Sequence, residues 1–502
     1  MNRRRIVLNA LATIGQTLGS AAVLFFLYRF LIRAIGVERL GIWSLVLATT
    51  SVVWLANQGF STSLVKFVAK YAAREQDNDV ALLIQTAVLS IALGLAIVSI
   101  ALYPGARSIL RFVLPPKSFP EACAILPLAL VSLWLTVIES ILQAALAGHQ
   151  LIAECNYLEM SGSLSYLFLA VALVPRRGLI GLAFAQALQA GAIVAITWFL
   201  LRRRVEPLPF IPRRWSSRHF RELAAYGLHF QVITASQALR EPVTKALITK
   251  FGGLAFTGFY DLAARAVITT RELIFQATQV LIPTIAHLHE RDPESIPRIY
   301  RDSYRLVFFL AVPAFACLTI SSPLISRVWI GRYEPSFVEF VAILSAGWLV
   351  NVLASPAYVV DLGTGALRWV SVGCVATAAL NAGLGFFAGR YAVPHGFGAV
   401  AVVSSAALSL AVGYVMVVVA YHCESRMPFA QLLPLESTPI LLASLTCAGL
   451  FLFAVAALIR SATPPRYLAV TTFALLAAIL IPMWRHPMRE RVLRWVFTRA
   501  PA

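Results

Sequence analysis

LIRAIGVERLGIWSL (31–45) and LITKFGGLAFTGFYDL (247–262) lie in different halves of the chain, yet they can be laid one on the other. Gly36 then meets Gly252. After a one-residue insertion Gly41, Trp43 and Leu45 meet Gly258, Tyr260 and Leu262. The same offset brings KYAARE (70–75) onto HLHERD (287–292). Each unit reads as a helix, a short glycine-containing turn, a second helix and a charged loop. Glycine suits the turn because it reaches positive φ without a steric penalty.

What these helices cross follows from composition. The 502 residues are 59% hydrophobic and 13% charged, with a mean hydropathy of +0.78. Soluble chains average about 45–50% apolar and about 25% charged. The sequence predicts an all-α polytopic membrane protein. Apolar windows of about 20 residues fall near 6–32, 41–66, 80–103, 121–147, 156–175, 178–201, 222–250, 254–284, 305–330, 337–361, 369–390, 396–421, 437–459 and 467–484. MNRRR and the long apolar run after it read as the first span rather than a signal peptide. About 14 transmembrane helices put both termini on one side. With that side cytoplasmic, the loops there hold 24 Lys and Arg against 14 opposite, the expected bias. Basic loops against an anionic leaflet account for the net charge of +19 through membrane lipids, without nucleic acid.

Six windows precede RRRVEPLPFIPRRWSSRHFR (202–221). Six is even, so the second repeat starts on the same side as the first and the repeats are parallel. Transporters built this way hold substrate near the midplane between the halves. The expected organisation is a six-helix lobe at 1–203, a basic cytoplasmic linker at 204–221 and a second six-helix lobe at 222–424. Two extra C-terminal helices at 425–484 and a basic amphipathic tail at 485–502 follow.

Charge is concentrated in windows 222–250 and 254–284, which hold Arg240, Glu241, Lys245, Asp261, Arg265, Arg271 and Glu272. A charge at the bilayer centre costs about 2.5–3.5 kcal/mol on insertion scales. At 100° per residue, Ser236, Gln237, Arg240, Glu241, Thr244 and Lys245 share one arc, and Ala235, Leu239, Val243 and Ala246 the other. Glu241–Lys245 and Asp261–Arg265 are acid-first i,i+4 pairs, whereas Arg240 has no acid four residues away on either side. Pro242 and Pro283 bend these helices. Two readings compete: ion pairs that staple helices together, and a cationic wet cavity for an anionic substrate. Under the repeat offset Lys245 corresponds to Arg29, so each repeat contributes a cation from its leading helix. The six scattered cysteines and the pair His287/His289 suggest no metal site.

The blocks 36–73, 251–292 and 310–331 (LAVPAFACLTISSPLISRVWIG) resemble the polysaccharide-transporter branch of the multidrug/oligosaccharidyl-lipid/polysaccharide exporter superfamily. The resemblance rests on Leu-Gly…Gly-x-Trp and Gly-x-Tyr-x-Leu-Ala-x-Arg at the starts of two helices, and on Ile-Pro…His-Leu. It covers most of residues 1–420. It implies two six-helix lobes in a V that alternate between inward- and outward-open forms. The implied cargo is an undecaprenyl-pyrophosphate-linked oligosaccharide flipped to the periplasmic leaflet of a bacterial inner membrane for O-antigen, capsule or exopolysaccharide. A polysaccharide polymerase is a candidate partner, and a monomer is the simplest expectation for the chain itself. Arg29, Arg240, Lys245 and Arg265 would line the cationic cavity and hold the pyrophosphate. Glu241 and Asp261 would serve as gating or coupling ion pairs.

The drug exporters of the same superfamily are the main rival. They carry acids early in the N-terminal lobe, whereas the first two windows here contain none except Glu38 in the loop between them. Glu139 and Glu159 are the remaining candidates. A membrane-bound glycosyl- or acyltransferase would need an acid or His cluster at a boundary, and the short outer loops hold no acid pair or His cluster. No G-x-x-x-x-G-K-[ST] is present, which argues against direct ATP drive. The sequence predicts no enzyme and no cofactor. Coupling falls to a proton or sodium gradient, or to consumption of the product.

Overall fold

A computed structural model describes residues 3–51, 55–72, 74–149, 151–227, 231–279, 291–460 and 465–490, with isolated positions between 279 and 291. Pro283, His287 and the tail from 491 onward lie outside the described residues, so the bend at Pro283, part of the HLHERD match and most of the amphipathic tail do too. Among the described residues there are α-helices and short 3-10 turns, and no strand.

The first helices are α1 (Arg3–Ser51), α2 (Leu55–Ala72), α3 (Asp77–Val113), α4 (Phe119–Gly148) and α5 (Ile152–Arg204). Then come α6 (Ser217–Gly227), α7 (Gln231–Phe251), α8 (Leu254–Gln279), α9 (Ile296–Trp329) and α10 (Pro335–Leu353). The last are α11 (Ser355–Thr364), α12 (Leu367–Ala392), α13 (Gly398–Glu424), α14 (Thr438–Arg460) and α15 (Pro465–Arg485). Among the described residues ten stretches are long and apolar enough to cross a membrane. The chain is a multi-pass membrane protein.

Two of the longest helices are each a pair. Inside α1, Gly36 turns the backbone at φ 82°, and inside α5 Gly178 does so at φ 56°. These kinks separate the windows that the sequence placed at 6–32 and 41–66, and at 156–175 and 178–201. Window 337–361 is also interrupted. Α-helix α10 ends at Leu353 and α11 restarts at Ser355, with Pro356 in its first turn. Proline is tolerated there because it lacks only an N–H that has no helical acceptor.

Packing divides the chain into two compact units, residues 1–258 and 259–502. In the first, α7 lies against α1, α2 and α3. A cluster including Leu64, Val68, Ile84, Val137, Ile141 and Leu142 forms a core among α2, α3 and α4. In the second unit α12 pairs with α13, and α9 packs on α10, α14 and α15. This division by contact falls later than the basic loop at 204–221, because α7 belongs by packing with the helices before it.

The repeat is visible inside the first unit. Within the two matched turns the positive-φ glycines are Gly36 and Gly253, so the structural partner of Gly36 is Gly253 rather than Gly252. The extra residue of the second repeat is Gly252 itself, in the turn. Arg29 still corresponds to Lys245 before it, and Gly41 to Gly258 after it. A Cβ on Gly41 would strike the carbonyl oxygen of Leu254. A Cβ on Gly258 would lie 2.6 Å from that of Val37. Val37 and Leu254 are themselves repeat partners, so the contact is reciprocal.

The basic linker is not a free tether. The Arg213 and Arg214 backbone N–H groups both donate to Gln85 Oε1, at 3.1 and 3.2 Å. Ser216 N donates to Thr86 Oγ1 and Trp215 Nε1 to Ser90 Oγ. Buried Gln85 on α3 thus pins an extended, cationic strand of chain to the first unit.

Candidate functional site

Helix α7 is polar on its inner side. Ser236, Thr244, Lys245 and Thr249 are buried, whereas Leu239 is exposed. The Thr244 and Thr249 hydroxyls donate to the carbonyls of Arg240 and Lys245, four residues back. Thr249 and Thr257 share a further hydrogen bond of 2.8 Å between α7 and α8. Hydroxyls satisfied this way can be buried without an unmet polar group. The arc predicted from spacing therefore exists, and much of it faces protein in this conformation.

Both i,i+4 pairs form. Lys245 Nζ lies 2.8 Å from Glu241 Oε1, and Arg265 Nε lies 3.0 Å from Asp261 Oδ2. Their burial is opposite. On α7 the base is covered (side chain 6% exposed) and its acid is open (45%). On α8 the acid is covered (3%) and its base is open (35%). All four side chains make further interactions beyond these pairs. Arg240 is half-buried and likewise engaged, and Arg29 is half-buried on the first limb of α1.

Arg271 pairs with Glu272 and lies over the rings of Phe275 (4.2 Å) and Trp348 (5.5 Å). In the first unit, Glu159 accepts from Gln16 Nε2 at 2.7 Å and Glu139 from Gln143 Nε2 at 3.1 Å. Each of these acids is held by an amide, and among the described residues neither forms an ion pair. Among the described residues no group of three His, Cys, Asp or Glu side chains could hold a metal ion.

A family model described as "Polysaccharide biosynthesis protein" matches residues 30–337, more than half of the chain. The chain belongs to that family. The match takes in both repeat turns and both ion pairs. No match was found among curated proteins. Solved structures share the fold. One is an inward-facing multidrug resistance MATE family transporter of the MOP superfamily, with TM-score 0.70 and 13% identity, covering 84% of this chain and 98% of that one. Another is the lipid II flippase MurJ in an inward closed conformation, with TM-score 0.70 and 12% identity, covering 97% and 100%. A third is a MOP superfamily transporter from Pyrococcus furiosus, with TM-score 0.58 and 12% identity, covering 83% and 95%. These are transporters and a flippase, not enzymes. This polysaccharide biosynthesis family member is thus an all-α membrane protein with the fold of the superfamily that its sequence resembles.

The sequence missed one grouping. Asp361 near the end of α11 and Glu424 at the end of α13 line a common cavity. Its signal was an acid three residues before the helix-ending Thr364-Gly365, in a window otherwise nearly free of charge.

Proposed function

We propose that this chain flips a polyprenyl-pyrophosphate-linked oligosaccharide, such as an undecaprenyl-pyrophosphate O-antigen, capsule or exopolysaccharide unit, from the cytoplasmic to the periplasmic leaflet. In this reading it sits in a bacterial inner membrane with both termini cytoplasmic. Its lobes at 1–203 and 222–424 alternate access about a shared cavity. The observation that carries the proposal is the family match across the two charged helices. Phosphate suits such a site because guanidinium offers forked donors and ammonium a point charge. Arg265 and Arg240, open or half-open, meet the pyrophosphate first. Lys245 becomes available when Glu241 releases it. The fold shared with the lipid II flippase, which spans nearly the whole chain, supports a lipid-linked cargo.

A second reading, a cation-coupled drug exporter, draws on the equal likeness to the MATE transporter and on the uncompensated Glu139 and Glu159. Transport in proteoliposomes separates the two. The wild type should move a fluorescent polyprenyl-pyrophosphate oligosaccharide, and Arg240→Ala and Arg265→Ala should each slow it by tenfold or more at unchanged thermal midpoint. Wild-type rates in both variants would sink the cationic cavity. Binding of a lipophilic cation in place of the pyrophosphate lipid would favour the exporter.

A further inference from the structure

The loop RRRVEPLPFIPRRW (202–215) is a shaped surface rather than a spacer. It holds five arginines and one acid, Glu206. Pro207, Pro209 and Pro212 fix three of its φ angles, and buried Val205 and Leu208 anchor it. Trp198 Nε1 donates to the Phe210 carbonyl at 2.8 Å, and the Arg202 guanidinium lies over the Phe210 ring at 5.0 Å. The loop thus folds back along the last turns of α5. Its far limb is pinned to α3 by Gln85, Thr86 and Ser90.

What the loop leaves outside is apolar and cationic together. Phe210 (73% exposed), Ile211 and Trp215 stand in the open. So do Arg203, Arg204, Arg213 and Arg214, and among the described residues none of the four forms an ion pair. Large apolar side chains bared to water are unfavourable, and arginines beside them do not suit burial against a dry apolar face. Ile196 and Phe199, on the α5 turns that the loop follows, are exposed as well. The apolar tip therefore continues the open flank of a helix long and apolar enough to cross a membrane.

We propose that this loop is a docking surface for the headgroups of anionic phospholipids, with phosphatidylglycerol as the fitting class. Phe210 and Ile211 enter the interfacial layer, and the arginines on either side fork onto phosphate oxygens. Zwitterionic headgroups carry the same phosphate with a compensating ammonium, so the cationic surface prefers the anionic ones. Prolines and hydrogen bonds hold the loop in shape before lipid arrives, which leaves little ordering cost to binding. A merely basic loop responds to net charge alone; here an apolar tip sits between two groups of arginines, and both parts count. The inference rests on the chain's crossing a membrane and not on its cargo.

The test is the thermal midpoint of the purified full chain in a nonionic detergent, titrated with phosphatidylglycerol or phosphatidylcholine in the micelles. The expected result is a saturable rise of about 3 °C with phosphatidylglycerol, much smaller with phosphatidylcholine and shrinking as salt is raised. Replacing Arg203, Arg204, Arg213 and Arg214 together by Gln should abolish the rise. Those side chains are exposed, and the backbone donors to Gln85 remain, so the variant keeps the fold. Phe210→Ser should halve the rise with every charge in place. Arg107→Gln with Arg111→Gln, at the other end of α3, should keep it. Equal rises with both lipids, no rise with either, or a full rise in the four-arginine variant overturn the proposal. A full rise in Phe210→Ser does so too, since the loop would then act by charge alone. So does an equal rise with glycerol 3-phosphate, which assigns the surface to a soluble phosphate.

Discussion

Glu241–Lys245 on α7 and Asp261–Arg265 on α8 are written alike and folded opposite. Both have an acid four residues before a base, the order that helix geometry favours. In one the protein covers the base and leaves the acid open; in the other it covers the acid and leaves the base open. Sequence spacing specifies the pair but not which member carries the desolvation. That depends on what each helix packs against: α7 buries Thr244, Lys245 and Thr249 and packs on α1, α2 and α3.

The comparison can be broken at several points. The largest effect is expected where α7 and α8 are joined. Gly258→Ala places a methyl against the Val37 carbonyl and side chain, both at or under 2.7 Å. Backbone there cannot rotate away as a side chain can. A loss of about 2–3 kcal/mol in unfolding free energy is expected, with a similar loss for Gly41→Ala. A neutral midpoint for both would mean that the helix crossing is soft, and burial on α7 and α8 would not be fixed.

The next effect separates the pairs directly. Glu241→Gln leaves a covered ammonium and should cost more than Lys245→Met, which leaves an open carboxylate. On α8 the order reverses, with Arg265→Gln costlier than Asp261→Asn. Breaking a buried pair from the exposed side costs several kcal/mol when nothing else compensates. Here the further contacts of Lys245 and Asp261 and partial exposure reduce the difference to about 1–2 kcal/mol. Thermal midpoints of the four variants read the order. Equal costs within each pair would show that burial does not distinguish the members.

The smallest effect is a pH control outside the spans. His486, just past α15, is buried with Nδ1 accepting from Met488 N at 3.1 Å and Nε2 bonded to Ser437 Oγ at 3.1 Å. Burial holds its pKa below the ordinary value. The neutral ring is the folded form, so its contribution is present above pH 6.5, the unfolded value, and is lost as pH falls toward the lowered folded value. The midpoint should drop by a few degrees between pH 7.5 and 5.5, and by less in His486→Asn. A drop of equal size in both would assign it elsewhere.

Much of the architecture was legible because lipid imposes length and apolarity on every crossing helix. Among the described residues every apolar window is mostly helix. Finer features were hidden where backbone conformation decides. Gly252 and Gly253 are the same letter, and only φ reveals which one turns the chain. The break at Ala354 needed Pro356 to be weighed against an apolar run, and the run prevailed. Of the candidate site, the pairs were readable from spacing, whereas the covering of Lys245 was not, since it depends on a neighbouring helix. Asp361 and Glu424 are distant in sequence and meet only because two helices end together.

The reciprocal glycine contact has a consequence for how the two repeats answer change. A position that touches its own repeat partner's neighbour, and is touched in return, has the pattern of an isologous interface. A substitution at either glycine therefore presses on one and the same crossing, so Gly41 and Gly258 act as a single pair although 217 residues separate them.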